Sequence, residues 1–418
     1  MSGPKPRAAV PLGNKMPAKR GDSVGKKLRS MNVQYVLAMA LYLCSYSVIT
    51  VFASSYLLEK GCSNSVIGIS FSVVGALTLL TQPFIASAAD ENREQKVRWM
   101  ILVFLAVSVA ATGGLLSLPE GSPFLLPLFM LVEYCLLTIQ PLLNSLAFIF
   151  ESYGIYIHFG IARGIGSAGY GFSSILVGRM IEGTSTRNVP FVYLIANLLL
   201  VLVLFNYGRE LGIQKMEQIA RKKAPLSTWS FYKKYKRFML FILASIFIYF
   251  AHVTIFNFFI HIVMPVGGSE NDVGKAVFLS TFLEAFATAA MPWLVKKISC
   301  SVILKFAAVM FIVRNIIMCT AHSMTWIYIG SAFQLVSYAL FYPGSIFYAN
   351  FMIPETDRVK SQSLVTINYT ASSIFASLIG GIVIDLWGIG QALMIGTALS
   401  CVGAIIVFAS VKENKNIQ

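Results

Sequence analysis

"GRELGIQKMEQIARKKAPLSTWSFYKKYKR", residues 208–237, is the one long polar interruption in an otherwise apolar chain. It carries Arg209, Lys215, Arg221, Lys222, Lys223, Lys233, Lys234, Lys236 and Arg237, a density of charge that excludes it from hydrocarbon. Outward from it in both directions, apolar runs recur at the length a helix needs to cross a bilayer, roughly 20 residues. Toward the N-terminus they fall at 33–54, 64–88, 97–118, 123–151, 159–183 and 189–207. Toward the C-terminus they fall at 238–264, 272–298, 301–322, 324–352, 359–387 and 389–411. The spacing predicts an all-α integral membrane protein of twelve transmembrane helices in two six-helix bundles, 33–207 and 238–411. The loop 208–237 joins them, with tails at 1–32 and 412–418.

Composition agrees with that reading. Of 418 residues, 56% are hydrophobic and 12% charged, far from the balance of a soluble domain. The net charge of +15 does not mark a nucleic-acid partner, because the basic residues fall on alternate connections rather than on one soluble module. The first tail holds Lys5, Arg7, Lys15, Lys19, Arg20, Lys26, Lys27 and Arg29. Arg93, Lys96, Arg98, Lys296, Lys297, Arg358, Lys360, Lys412 and Lys415 share its side of the membrane if the helices alternate. The opposite connections keep little beyond Lys60, Arg187 and Lys275. The positive-inside rule then places both termini in the cytoplasm, and the basic tail runs into a full-length span with no cleavable signal apparent. A multi-pass protein of the plasma membrane is expected, acting as a monomer in the lipid bilayer. The six cysteines are scattered without C-x-x-C spacing and read as packing residues, with no metal site and no cofactor.

The two halves echo each other. "GFSSILVGRMIEG" in the fifth span resembles "ASSIFASLIGGIVID" in the eleventh, and Gly68 with Pro83 resembles Gly274 with Pro292. Six-plus-six repeats around a cytoplasmic linker are a pattern of secondary transporters, whose substrate site lies near the midplane between the repeats.

Charges inside spans are costly and mark function. Arg163, Glu133, Glu284, Arg314 and His252 lie clearly within spans. Arg163 has Ser167 and Tyr170 at i+4 and i+7, a guanidinium, a hydroxyl and an aromatic ring on one helical face. Such a face suits a polyhydroxylated ligand, with paired guanidinium hydrogen bonds and a ring against apolar C–H groups; headgroup snorkelling is the alternative. Glu284 has no Lys or Arg within a helical turn, so it either binds ligand and carries a proton or pairs across helices with Arg314 or another donor. Arg314, His252 and Glu133 are candidates for proton coupling, or for static pairing. No nucleophile, metal or phosphate constellation suggests an enzyme.

"IHFGIARGIGSAGYG" (157–171), "FNFFIH" (256–261), "STFLEAFATAAMPWLVKKI" (280–298) and "VRNII" (313–317) resemble the lactose-permease branch of the major facilitator superfamily, the oligosaccharide:proton symporters. The related nucleoside and phenylpropionate permeases share much of the pattern. The resemblance implies alternating access, with Arg163 as the galactoside-binding arginine and Tyr170 in place of the sugar-stacking tryptophan. It implies Glu284 as the helix-eight acid of the site, Arg314 as the arginine assisting proton release, and Asp90 as the conformational acid of the loop between the second and third spans. Departures follow the same alignment. The family's helix-four glutamate falls at Asn144, its helix-ten lysine, histidine and proton-carrying acid at Leu335, Tyr338 and Phe341, its helix-seven aspartate at His252, and its helix-eleven lysine near Tyr369. The expectation is proton-coupled uptake of a sugar or glycoside bound by Arg163, Ser167, Tyr170, Asn144 and Glu284, the proton being carried by Glu284, Glu133 or His252. A nucleoside or aromatic-acid permease, favoured by Asn144 and by Phe256, Phe258, Phe259, Phe341 and Tyr342, and a non-transporting sensor are the alternatives.

Overall fold

The computed structural model describes residues 18–89, 94–119, 121–152, 156–207, 228–354 and 357–412. They are almost entirely helical, and no strand occurs among them. In chain order the helices are α1 (Ala18–Glu59), α2 (Asn64–Ala89), α3 (Glu94–Ser117), α4 (Leu125–Ser152), α5 (Phe159–Ile181), α6 (Asn188–Asn206) and α7 (Thr228–Lys234). They continue as α8 (Lys236–Asn257), α9 (Ile260–Val263), α10 (Glu270–Lys297), α11 (Cys300–Cys319), α12 (Met324–Ala332), α13 (Tyr338–Met352), α14 (Arg358–Trp387) and α15 (Ile389–Ser410).

Most span boundaries agree with the sequence reading to within a few residues, and the exceptions have physical causes. The polar segment 208–237 is not loop throughout: α7 forms within it and buries Phe231 against Phe238 and Phe241 of α8. The span expected at 238–264 ends its main helix at Asn257, and a short turn of helix follows. The span expected at 324–352 is broken. After Ala332 the chain tightens into a 3₁₀ turn, Phe333–Leu335, and α13 begins only at Tyr338.

Among the described residues, eleven spans are long and apolar enough to cross a membrane by length and composition, the broken Met324–Met352 counted as one; α5 is not among them. Glycine, serine and Arg163 dilute the hydropathy of α5, which is nevertheless the fifth of the twelve spans expected from the sequence. One face of it packs along α1 and α10, where small residues allow backbones to approach, while Ile161, Phe172 and Leu176 stay exposed.

Helices α1 to α6 pack mainly among themselves, as do α8 to α15. Two crossings dominate the contact between the groups: α2 with α14, and α5 with α10. The crossings repeat one pattern. A Cβ on Gly68 would overlap the carbonyl oxygen of Ser377, and one on Gly274 would overlap that of Ser174. Four residues on, Gly381 approaches the backbone of Asn64, and Gly178 that of Glu270. Four residues further, Asp385 bonds Asn64 and Ser65 at the start of α2, while Glu182 bonds Ser269 and Asn271 at the start of α10. The echo of "SILVGRMIE" (174–182) in "SLIGGIVID" (377–385) is thus a repeated interface. Toward the other end of α5, Gly160 and Gly164 have no neighbour within 4 Å of where a Cβ would sit. Among the described residues, the close backbone approaches of the groups fall at the end of Asn64, Gly178, Glu270 and Gly381, and α5 is open at Gly160 and Gly164.

Candidate functional site

The polar side chains within the spans form two clusters, one in each group. The cluster in the second group is centred on Arg314 of α11, 3% exposed. Its Nε donates to the carbonyl of Gly330 at 3.2 Å, Nη1 meets His252 Nδ1 at 2.6 Å, and Nη2 donates to Gln334 Oε1 at 3.2 Å. Gln334 Nε2 in turn donates to Glu284 Oε2 at 2.9 Å. Arg314 and Glu284 are thus linked through an amide, and the direct pairing weighed from the sequence is not formed. A guanidinium only donates, so His252 Nδ1 must offer its lone pair at this contact. That leaves Nε2 as the ring nitrogen carrying hydrogen.

Aromatic rings wall this cluster. His252 stacks on Tyr338, with centroids 4.6 Å apart and planes 13° from parallel. Tyr338 lies 5.8 Å from Tyr342 at 8°. Tyr369 meets His252 edge-on at 6.2 Å, so the positions of the family's aspartate–lysine pair are neighbours that touch through rings. Phe341, at the position of the proton-carrying acid, is fully buried against Phe241, Tyr249 and Phe311. Phe256 and Phe259 line a cavity with Arg314 and Gln334, whereas Phe258 is fully buried in the core.

In the first group, Arg163 is half-buried, and its guanidinium makes no hydrogen bond or ion pair among the described residues. Ser167 Oγ donates to the Arg163 carbonyl at 3.0 Å, so that hydroxyl proton serves its own helix and only its lone pairs are open. Tyr170 packs on Tyr46 with centroids 6.2 Å apart. Glu133 and Asn144 are eleven residues apart on α4, three turns, and share a face. Each has a buried oxygen, Glu133 Oε2 and Asn144 Oδ1, with no hydrogen-bond partner among the described residues. Buried acceptors left empty are costly and need a ligand or water. Asp90 lies outside the described residues.

Gln334 escapes the sequence reading because it is uncharged and matches no position of the family's site. A lone glutamine in "WIYIGSAFQLVSYALFYPG" (326–344), beside two serines, is the signal that was available. Tyr338 and Tyr342 are both visible in the sequence, but the stack they form with His252 is not, because it depends on how α8 packs against α13.

Comparison with known proteins agrees with this architecture. The chain is 23% identical over 373 residues to a maltose permease of Geobacillus stearothermophilus, covering 87% of this chain and 90% of that protein. Among solved structures, a single-substitution mutant of the nucleoside transporter NupG superposes with a TM-score of 0.76 at 14% identity, over 91% of this chain and all of that one. A bacterial homologue of the human lysosomal transporter Spinster, inward-facing and unoccupied, superposes with a TM-score of 0.63 at 15% identity, over 92% and 97%. At such identities the structural likeness fixes the fold alone. The MFS_1 like family matches residues 35–394, most of both helix groups. The chain therefore belongs to the MFS_1 like family and is a major facilitator secondary transporter, not an enzyme.

Proposed function

We propose that this transporter takes up a sugar or glycoside together with a proton, binding it between Arg163, Ser167, Tyr170 and Asn144 on one side and Glu284 on the other. The observation that carries the reading is the complementary pair of clusters. A guanidinium unpaired among the described residues and empty buried acceptors lie on α4 and α5, and a carboxylate lies on α10, the helix of the second group that crosses α5. Hydroxyl groups of a sugar donate to Asn144 Oδ1, Glu133 and Glu284, and accept from Arg163. Tyr170 offers a ring face. The relative at 23% identity, a maltose permease, points the same way.

The domains are the bundles 33–207 and 238–411, rocking about the end where α2 meets α14 and α5 meets α10. The chain lies in the plasma membrane as a monomer with both termini cytoplasmic, so the described state opens inward. Glu284 and Glu133 are the proton-carrying candidates. Arg314 assists release, and Asp90 acts in the conformational change. His252 is the weaker candidate, since its contact with Arg314 uses the Nδ1 lone pair.

A second reading, a nucleoside or aromatic-acid permease, is favoured by the near-parallel stack of His252, Tyr338 and Tyr342, a wall suited to a flat ring. Uptake into proteoliposomes of sugars, nucleosides and aromatic acids, with and without an imposed pH gradient, separates the two. Sugar accumulation driven by the gradient is expected. Accumulation of nucleosides alone would transfer the site to the second reading, and indifference to the gradient would remove proton coupling.

A further inference from the structure

The transmembrane run 324–352 breaks between Ala332 and Tyr338, and the side chain projecting from that break is the one that joins the two charges of the second cluster. We propose that Gln334 is a positioning residue of the transport cycle: from the break it holds Glu284 and Arg314 as an amide-bridged pair and so ties the state of Glu284 to the conformation of the transporter. The inference rests on Glu284 being the acid that binds substrate and proton.

Three observations combine. The amide is used at both ends with the polarity each partner requires: its oxygen accepts from Arg314 at 3.2 Å, and its nitrogen donates to Glu284 at 2.9 Å. The bridge anchors to the frayed backbone, because Arg314 also donates to Gly330, and Ser280 Oγ to the Ser331 carbonyl at 3.2 Å, just before the break. Finally, a cavity lined by Phe256, Ser280, Thr281, Arg314, Ser331 and Gln334 lies beside the amide, and the Ser331 hydroxyl facing it is buried without a partner. Gln334 therefore has a polar-lined space beside it if Glu284 releases it.

The arrangement has a physical consequence. A direct, buried carboxylate–guanidinium contact is strongly coupled, and removing either charge strands the other. Inserting an amide lengthens the separation and weakens the Coulomb attraction, while each ion keeps one charge-assisted hydrogen bond. Glu284 can then be neutralised by a proton, or claimed by a ligand hydroxyl, without leaving Arg314 bare. What weakens at that moment is the Gln334–Glu284 bond, which turns from charge-assisted to neutral or is displaced by the ligand, and the change falls on a segment where the helix is already interrupted. A discontinuous helix at membrane depth is where transporters place ligand-dependent movement.

The test requires no substrate. Hydrogen–deuterium exchange of the full chain in nanodiscs reads how often the closed end opens, through protection of the segments at Asn64–Gly68 and Ser269–Gly274. Q334M, nearly isosteric but unable to bridge, should reduce that protection by roughly threefold or more, and E284Q, which mimics the neutral acid and keeps only a neutral acceptor for Gln334, should reduce it by less. Q334E, which repels Glu284 but still accepts from Arg314, should act in the same direction. The swap E284Q with Q334E rebuilds the bridge with amide and carboxylate exchanged and should return protection toward the wild-type value, a non-additivity that independent sites do not give. Unchanged protection in Q334M would overturn the proposal, as would a swap whose effect equals the sum of its two single changes. Because nothing is transported in this experiment, its result stands apart from the uptake panel that decides the substrate.

Discussion

A buried amide oxygen with nothing to bond, as at Asn144 Oδ1, lowers stability unless a ligand or water satisfies it. Asn144→Leu removes the empty acceptor at nearly constant volume. Unfolding in detergent should therefore stay within about 1 kcal/mol of the wild type or rise, while sugar uptake falls roughly tenfold through the lost hydrogen bond. Parallel loss of stability and uptake would instead mark Asn144 as structural. For Arg163 the expectation is steeper. Its guanidinium has no protein partner to satisfy among the described residues, so Arg163→Ala costs the fold little. Substrate binding measured by counterflow should nevertheless drop by about 10- to 100-fold, the worth of one or two hydrogen bonds to a charged group. Arg163→Lys keeps the charge without the paired donors and should fall between. Unchanged counterflow in Arg163→Ala would remove the assignment.

At the scale of elements, legibility followed the physics of each signal. Spans were readable because apolar length is a property of each segment alone, and Gly68 with Gly274 was readable as an echo between halves. The break at Phe333–Leu335 was not, since no proline or glycine lies within 333–337 and the interruption is held by tertiary bonds from Arg314 and Ser280. The charged corners of the site were legible for the same reason as the spans: Arg163, Glu284 and Arg314 stand out against hydrocarbon. How they pair is set by helix packing, which one sequence does not display. The repeated glycines carry their own prediction. At Gly68 a methyl group would overlap the Ser377 backbone, and backbone cannot rotate aside as a side chain does. Overpacking of this kind costs about 1–3 kcal/mol, so Gly68→Ala should expose the α2–α14 crossing to hydrogen exchange by roughly tenfold. Gly164→Ala meets open space and should leave that crossing protected as in the wild type.

The whole molecule is held at its closed end by two acid contacts in equivalent places. Asp385 Oδ1 accepts from the backbone and side-chain nitrogens of Asn64 at 3.1 and 2.9 Å, and Oδ2 from the Ser65 backbone at 2.7 Å. The carboxylate thus sits on the free N–H groups of the first turn of α2, where the helix dipole favours negative charge. Glu182 does the corresponding work at the start of α10, accepting from Ser269 Oγ and, at 2.9 Å, from Asn271 Nδ2. Each links the first helix group to the second, so neither bond survives if the closed end parts. They stabilise one conformation relative to the other rather than the fold as such, and that is what shifts a two-state equilibrium. Both contacts are exposed, and an acid at a helix N-terminus contributes about 0.3–1 kcal/mol under such conditions. Asp385→Asn or Glu182→Gln alone should therefore raise the population open at this end by about two- to fivefold, and the pair together by roughly three- to thirtyfold. Spin-label distances across the closed end, at low and high salt, measure it. Salt should shift the wild type in the same direction as the substitutions and have little further effect on the double variant. If the substituted protein keeps the wild-type distance distribution, the glycine crossings alone hold this end shut.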